Sequence, residues 1–253
     1  MLPNDVSLTL KANKDVLINS NVSIDATQNN NINKLDIVLH SDSDGTEFSS
    51  SCSCSSSAGA IQVNDGGALK SNGGNIILGG GLDITVGSSW ATGVSTDYTG
   101  INLINTTINS NGGAITLRAR GNHAAGKSLG VMLNAGTNIN SGSGKINIFG
   151  RSESFIGDNS GQFKNGIRFN GTSANPITIT SSNTSSDAIT LSGQEGYWTG
   201  NISTSGGSGS YREGLSFIYT NIIASGGVTF AADKQVYNNT TLSTTGTNDA
   251  LNI

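Results

Sequence analysis

The sequence predicts an all-β chain folded as a right-handed parallel β-helix, a three-sided solenoid with irregular loop insertions, running as a single segment over residues 1–253. Three observations carry that expectation. A three-part strand pattern recurs along the chain, each part alternates apolar and polar residues, and the composition suits thin stacked layers better than one large core. Gly supplies 35 residues against 2 Pro, only 12% of residues are charged, and the apolar share is 34%. Low charge separates the chain from the common disordered class, which combines low hydrophobicity with high net charge.

The first part of the repeat is a glycine followed by apolar-x-apolar. It reads Gly100-Ile101-Asn102-Leu103, Gly130-Val131-Met132-Leu133, Gly166-Ile167-Arg168-Phe169 and Gly214-Leu215-Ser216-Phe217. The second is a short Ile-x-Ser piece, as in Thr107-Ile108-Asn109-Ser110 and Asn138-Ile139-Asn140-Ser141, with Asn221-Ile222-Ile223-Ala224-Ser225 as a looser copy. The third follows small residues: Gly113-Ala114-Ile115-Thr116-Leu117, Gly144-Lys145-Ile146-Asn147-Ile148 and Gly227-Val228-Thr229-Phe230, with Asn175-Pro176-Ile177-Thr178-Ile179 assigned as a variant. Ile61–Val63, Ala68–Ser71 and Gly74–Leu78 form an earlier set.

Period-two alternation marks half-buried strands, and the Val, Ile and Thr that dominate them favour a pleated surface. Gly, Asn, Asp and Ser between the strands supply corners and left-handed backbone positions. The third-part residues Ile76, Ile115, Ile146 and Ile177 fall 39, 31 and 31 residues apart, a solenoid-like spacing. Single coils of this kind gain their stability by stacking. Variable stretches at about 79–99, 118–129, 150–165 and 192–213 interrupt the repeats. Strand pattern begins at Val6-Ser7-Leu8-Thr9-Leu10 and ends at Asp249-Ala250-Leu251-Asn252-Ile253, so the segment is expected to be an uncapped internal piece of a longer exoprotein.

Asp15–Ile24 and Ile108–Leu117 resemble repeats of the filamentous haemagglutinin and high-molecular-weight adhesin family. The resemblance implies a secreted bacterial surface protein exported by an outer-membrane two-partner-secretion transporter, which would act on an N-terminal region not recognisable in this segment. It implies a structural and adhesive shaft with no catalysis, no cofactor and no metal, and a host surface protein or glycan as partner. A signal sequence would lie upstream, since the first residues lack a basic stretch followed by an apolar one. No apolar run reaches the length of a membrane helix. A net charge of −4 without a basic stripe gives no reason to expect nucleic acid.

A polysaccharide-active β-helix enzyme, lyase or glycoside hydrolase, is the alternative. Such chemistry commonly needs paired carboxylates, yet Asp158, Asp187, Glu195 and Glu213 share no repeat position, and His40 and His123 read as solitary, solvated side chains. Asp42-Ser43-Asp44-Gly45-Thr46-Glu47 reads as a solvated acidic turn before a calcium loop, because the full ligand pattern is missing. A mineral- or ice-binding solenoid would need a more regular Thr ladder than Thr178-Ile179-Thr180.

The aromatic residues Trp90, Tyr98, Tyr197, Trp198 and Tyr211 lie in the variable stretches and are the candidate ligand contacts, although loops folding back on the solenoid would use them equally well. Cys52 and Cys54 suit a Ser-rich loop, a strained local disulfide or, least well, a metal site. Asn-x-Ser/Thr triplets at Asn21, Asn105, Asn170, Asn183, Asn201 and Asn239 are glycosylation candidates that a chain rich in these residues also produces by chance.

Overall fold

A computed structural model describes residues 6–28, 33–45, 59–85, 90–92, 99–121, 128–152, 164–194, 212–233, 235–244 and 251–252. The chain visits three sheets in rotation, and every strand pairs in parallel with its counterpart one coil away, giving a three-sided parallel β-helix. Among the described residues, side 1 holds seven strands: Val16–Ile18, Ile61–Val63, Thr99–Leu103, Ser128–Asn134, Lys164–Asn170, Arg212–Ile218 and Gln235–Asn238. Side 2 also holds seven: Ser23–Asp25, Ala68–Lys70, Thr107–Asn109, Asn138–Asn140, Ile177–Ser181, Thr220–Ala224 and Thr241–Thr244. Side 3 has nine, namely Val6–Lys11, Leu35–Ser41, Ile76–Gly80, Ile115–Arg120, Ile146–Arg151, Ile189–Gln194, Val228–Ala232 and Leu251–Asn252, with Ala91–Thr92 paired to the end of Ile115–Arg120.

Because side chains alternate across a strand, parallel register converts the repeats into columns. On side 3, Ile37, Ile76, Ile115, Ile146, Ile189 and Val228 stack in register, and Leu39, Leu78, Leu117, Ile148, Leu191 and Phe230 form the next column. Leu69, Ile108, Ile139, Ile179 and Ile222 make the side 2 column. These residues form one continuous buried cluster. Side 1 changes along the axis: Leu103 and Leu133 are followed by Phe169, Phe217 and Tyr237, whose rings stack at centroid distances of 4.7 and 5.0 Å.

The corners explain the polar composition. Between sides 2 and 3 the sequence Ser-Asn-Gly-Gly recurs at 71–74 and 110–113, with Asn72 and Asn111 at φ of +53° and +51°. Asn tolerates that left-handed region better than most residues. The serine is fully buried, and its hydroxyl donates to a carbonyl across the turn: Ser71 to Gly74, Ser110 to Gly113 and Ser141 to Gly144, at 2.5, 2.5 and 2.6 Å. Gly113 is required for a different reason. A Cβ there would lie 1.9 Å from the Gly74 carbonyl oxygen, and one on Gly144 equally close to that of Gly113. Side chains just before the corner close the turn, Asn109 accepting from the N–H of Asn111 and Asn140 from that of Gly142.

Between sides 1 and 2, Asn21 and Asn105 take the left-handed position, and their side-chain oxygens stand where a Cβ on Gly66 and Gly136 of the next coil would lie. Thr106, Thr137 and Thr220 are buried behind them, their hydroxyls donating to strand carbonyls.

Two assignments change. Asn175–Ile179 belongs to side 2, since Thr178 and Ile179 pair with Asn138 and Ile139. The partner of Ile146 on side 3 is Ile189. Alternation alone does not distinguish the two sides, and a longer corner after Ser181 hides the shift. In the final coil the repeat pattern marks Leu251–Asn252 on side 3 but not the strands Gln235–Asn238 and Thr241–Thr244, since Gln235 occupies the inward register of Leu215 and no glycine introduces it.

The Gly113→Ala substitution is expected to destabilise the protein by about 2–3 kcal/mol through forced separation of two backbones, read as a lowered urea midpoint. Thr116→Ala, on the outward face of side 3, should stay within about 0.5 kcal/mol of the parent.

The Asp25 carboxyl supplies a pH test. Burial pushes its pKa up, but hydrogen bonds from the hydroxyl and N–H of Thr27, the Gln28 amide and Lys70 outweigh this and hold it well below the carboxylate range. A depressed folded pKa stabilises the protein above the unfolded value of about 3.9, and that stability is lost as pH falls below it. Asp25→Asn should therefore be less stable than the parent at pH 7, with the gap closing below about pH 4 in urea titrations.

Candidate functional site: the insertion corner

The third corner, from side 3 to side 1, differs from the other two. The last inward positions of side 3 are small: Ser41 and Gly80 in register, then Ala91, Ala119, Gly150, Gly193 and Ala232. Facing them are the glycines that open the side 1 strands. A Cβ on Gly150 would lie 2.0 Å from the Gly166 carbonyl oxygen, and one on Gly193 2.0 Å from that of Gly214. Gly100 and Gly130 likewise meet the backbone of Arg120 and Arg151. The two sheets close to backbone contact, so the cross-section ends in a sharp edge with no room for core side chains.

Residues 46–58, 86–89 with 93–98, 122–127, 153–163 and 195–211 each fall between a side 3 strand and the next side 1 strand. The strands flanking these five insertions are stacked coil on coil at this corner, whereas residues 29–32 and 245–250 fall between side 2 and side 3. The roots are more ordered than the sequence suggested: paired strand extends to Arg120, Arg151 and Gln194 before the insertions and resumes at Ser128, Lys164 and Arg212 after them.

Burial distinguishes the flanking sides. Outward residues of side 3 such as Thr116, Asn147 and Thr190 are half-exposed. On side 1 the outward column is uneven: Asn102 and Arg168 are 8% exposed and Ser216 only 4%, whereas Gln62, Met132 and Val236 are half-exposed and Leu17 is open to solvent. Polar and charged groups are buried at the strand starts as well. Lys164, Asn165 and Glu213 are all within 4% of complete burial. Asn165 and Glu213 are in register, and the Asn165 amide donates to Glu213 Oε2 at 3.1 Å. Among the described residues, Asn165 Oδ1 is the buried side-chain oxygen without a protein partner.

Every arginine of the chain, Arg118, Arg120, Arg151, Arg168 and Arg212, lies on strands flanking this corner. Arg120 and Arg151 are in register on adjacent coils. The Arg118 guanidinium sits over Phe149 at 5.0 Å and over Trp90 at 5.9 Å, and burial pushes its pKa down. Trp90, one of the candidate ligand contacts, is therefore half-buried and engaged in a cation–π contact with the solenoid wall. Tyr98, Tyr197, Trp198 and Tyr211 lie outside the described residues, as do Cys52, Cys54, His123, Asp158 and Glu195.

His40 is not a solvated side chain: it is 6% exposed and its Nε2 lies 2.6 Å from the Gly81 carbonyl oxygen. The acidic turn is likewise only partly solvated. Asp42 is fully buried at φ +46°, whereas Asp44 is exposed, and Thr46 and Glu47 lie outside the described residues. His40 is bonded to the adjacent coil at Gly81, and the Asp42 N–H donates to the Lys14 carbonyl of the coil on the other side; alternation along one strand does not encode such cross-coil contacts.

Most described carboxylates serve corners or coil-to-coil contacts. Asp15 accepts from the N–H groups of Gly59 and Ala60, Asp36 from that of Asn75, and Asp65 from the Asn105 amide. Asp187 pairs with Lys145 at 2.7 Å. No group of three or more His, Cys, Asp and Glu side chains suited to a metal occurs among the described residues. Four of the triplet asparagines are engaged, the amides of Asn105, Asn170, Asn183 and Asn239 donating to Asp65, Asn134, Ser143 and Asn238, while Asn201 lies outside the described residues.

No family model, curated protein or solved structure matches the chain.

Removing the indole in Trp90→Ala is expected to lower stability by about 1 kcal/mol through loss of the Arg118 contact. An unchanged urea midpoint would show that the contact contributes nothing and return Trp90 to the ligand-contact candidates.

Proposed function

We propose that this chain is a structural and adhesive shaft segment of a secreted bacterial surface protein, non-catalytic, with any ligand recognition carried along the insertion corner. The observation that supports it best is the division of labour in the solenoid. Two corners are built tightly from Ser, Asn, Thr and Gly, while the third carries the long insertions in a row. A rigid scaffold presenting stacked loops is a common arrangement for binding surfaces. The use of carboxylates as corner acceptors and ion-pair partners favours this reading over paired acid and base groups.

In this reading the likeness to filamentous haemagglutinin repeats assigns the segment to an exoprotein delivered by an outer-membrane transporter. The ligand would be a host surface protein or glycan. Turnover assays on pectin, alginate and host glycans, run beside binding assays on the same polymers and on host cells, provide the test. Saturable binding without bond cleavage is expected, and cleavage of any polymer would overturn the proposal. Replacing residues 195–211 by a short Gly-Ser-Asn turn is expected to keep the β-sheet circular dichroism while reducing adhesion. Undiminished adhesion would remove that insertion from the binding surface.

A further inference from the structure

Two neighbouring coils repeat each other over an unbroken stretch. Thr107–Asn109 pairs with Asn138–Asn140 and Ile115–Arg120 with Ile146–Arg151, and all these partners stand 31 residues apart. Hydrogen bonds recur at the same interval. The Ser110 hydroxyl donates to the Gly113 carbonyl as that of Ser141 does to Gly144. Towards the coil that follows, the N–H groups of Ser110, Ile115 and Gly121 donate to Asn140, Lys145 and Arg151. One coil on, those of Ser141, Ile146 and Ser152 donate to Thr180, Ala188 and Gln194.

The core side chains match as well. Ile101, Leu103, Ile108, Ile115 and Leu117 line the first of these coils, and Val131, Leu133, Ile139, Ile146 and Ile148 the second, each in register with its counterpart. The coil beyond meets the second set with Ile167, Phe169, Ile179, Ile189 and Leu191. Against these residues the two sets differ by one methylene, Ile101 for Val131, and by one change of branching, Leu117 for Ile148. Apolar changes that nearly conserve volume are the mildest a core accepts.

We propose that the coil is the unit of length of this solenoid: chain between equivalent positions of two coils can be removed, and the coils on either side then stack directly. Removal of Thr116–Ile146 joins Ile115 to Asn147. Ile115 then lies between Ile76 and Ile189, Ile108 between Leu69 and Ile179, and Leu103 between Val63 and Phe169. Glycines stay where backbones touch, since Gly113 keeps its place on Gly74 and Gly150 its place against Gly166. Reach shortens by one strand spacing, about 4.8 Å, and Thr92 becomes the neighbour of Arg151 at the insertion corner. Nothing in this step depends on adhesion, so its failure leaves the adhesive reading untouched.

Three deletions, compared with the full 253-residue chain by circular dichroism and urea unfolding, provide the test. The chain lacking Thr116–Ile146 is expected to keep the β-sheet spectrum, with an m-value reduced by about an eighth in line with its length. Loss of that spectrum would overturn the proposal. Removing Thr116–Asn147, one residue more, turns Phe149 and Arg151 towards the core and should lower the urea midpoint further. A midpoint equal to that of the first variant would show that phase is immaterial and overturn the proposal equally. Removing Gly121–Arg151 is in phase, but it sets the Ala119 methyl where a Cβ on Gly150 would stand, 2.0 Å from the Gly166 carbonyl oxygen. That midpoint should also fall below the first variant's. Equal midpoints here would mean that the outer coils had not come into contact, which refutes direct stacking.

Discussion

Coil-on-coil register is the constraint from which the rest of this structure follows. At Gly74, Gly113 and Gly144 the backbone of one coil occupies the space in which the next coil's Cβ would stand. That contact fixes the height of the step, and parallel hydrogen bonding fixes the position along the strand. Once both are set, a residue's environment depends on its place in the coil and not on its neighbours in sequence. The isoleucines at 76, 115, 146 and 189 share one column although the chain between them varies in length.

Register also explains why a chain so poor in charge and rich in Asn, Ser and Thr is ordered. Every coil must turn three times, and each turn leaves backbone groups that need partners. Buried hydroxyls at Ser71, Ser110 and Ser141, and the side-chain oxygens of Asn109 and Asn140, meet part of that demand with short side chains that lose little rotamer freedom. Their abundance is a property of corners, and the same abundance generates glycosylation-like triplets. The amides of Asn105 and Asn183 are already committed to Asp65 and Ser143, so in these positions the triplet reports corner geometry.

The fold was legible because its signal is repetitive: alternating Ile-x-Leu pieces bounded by Gly and Asn recur often enough to define sides and columns. What was not legible depends on information outside the pattern. Asn175–Ile179 carries the same alternation on either side 2 or side 3, and only the partner strand decides between them. His40 and Asp42 look like loop residues in sequence, yet both are buried, the histidine ring bonded to Gly81 of the adjacent coil. Gly150 and Gly193 resemble ordinary turn glycines, but their small size serves contact between two sheets. For the site, the sequence located the insertions and their aromatic residues. It did not reveal that they share a single edge, or that Trp90 is held against Arg118.

That shared edge gives the architecture its functional logic. A solenoid tolerates insertions only where added chain can leave without prising coils apart. The closed contact of Gly150 with Gly166, and of Gly193 with Gly214, seals the core behind the departing strands. Loop length can then vary at little cost in stability, since closure entropy grows slowly with length. The buried Asn165–Glu213 pair and the fully covered Lys164 mark a cost paid at the roots, where polar groups are taken out of water next to an apolar core. Polar groups desolvated in this way favour the arrangement that satisfies them over alternatives that do not. Their position beside the insertions places the desolvated polar groups at the one corner whose closure is made by glycine backbones and not by Ser and Asn side chains.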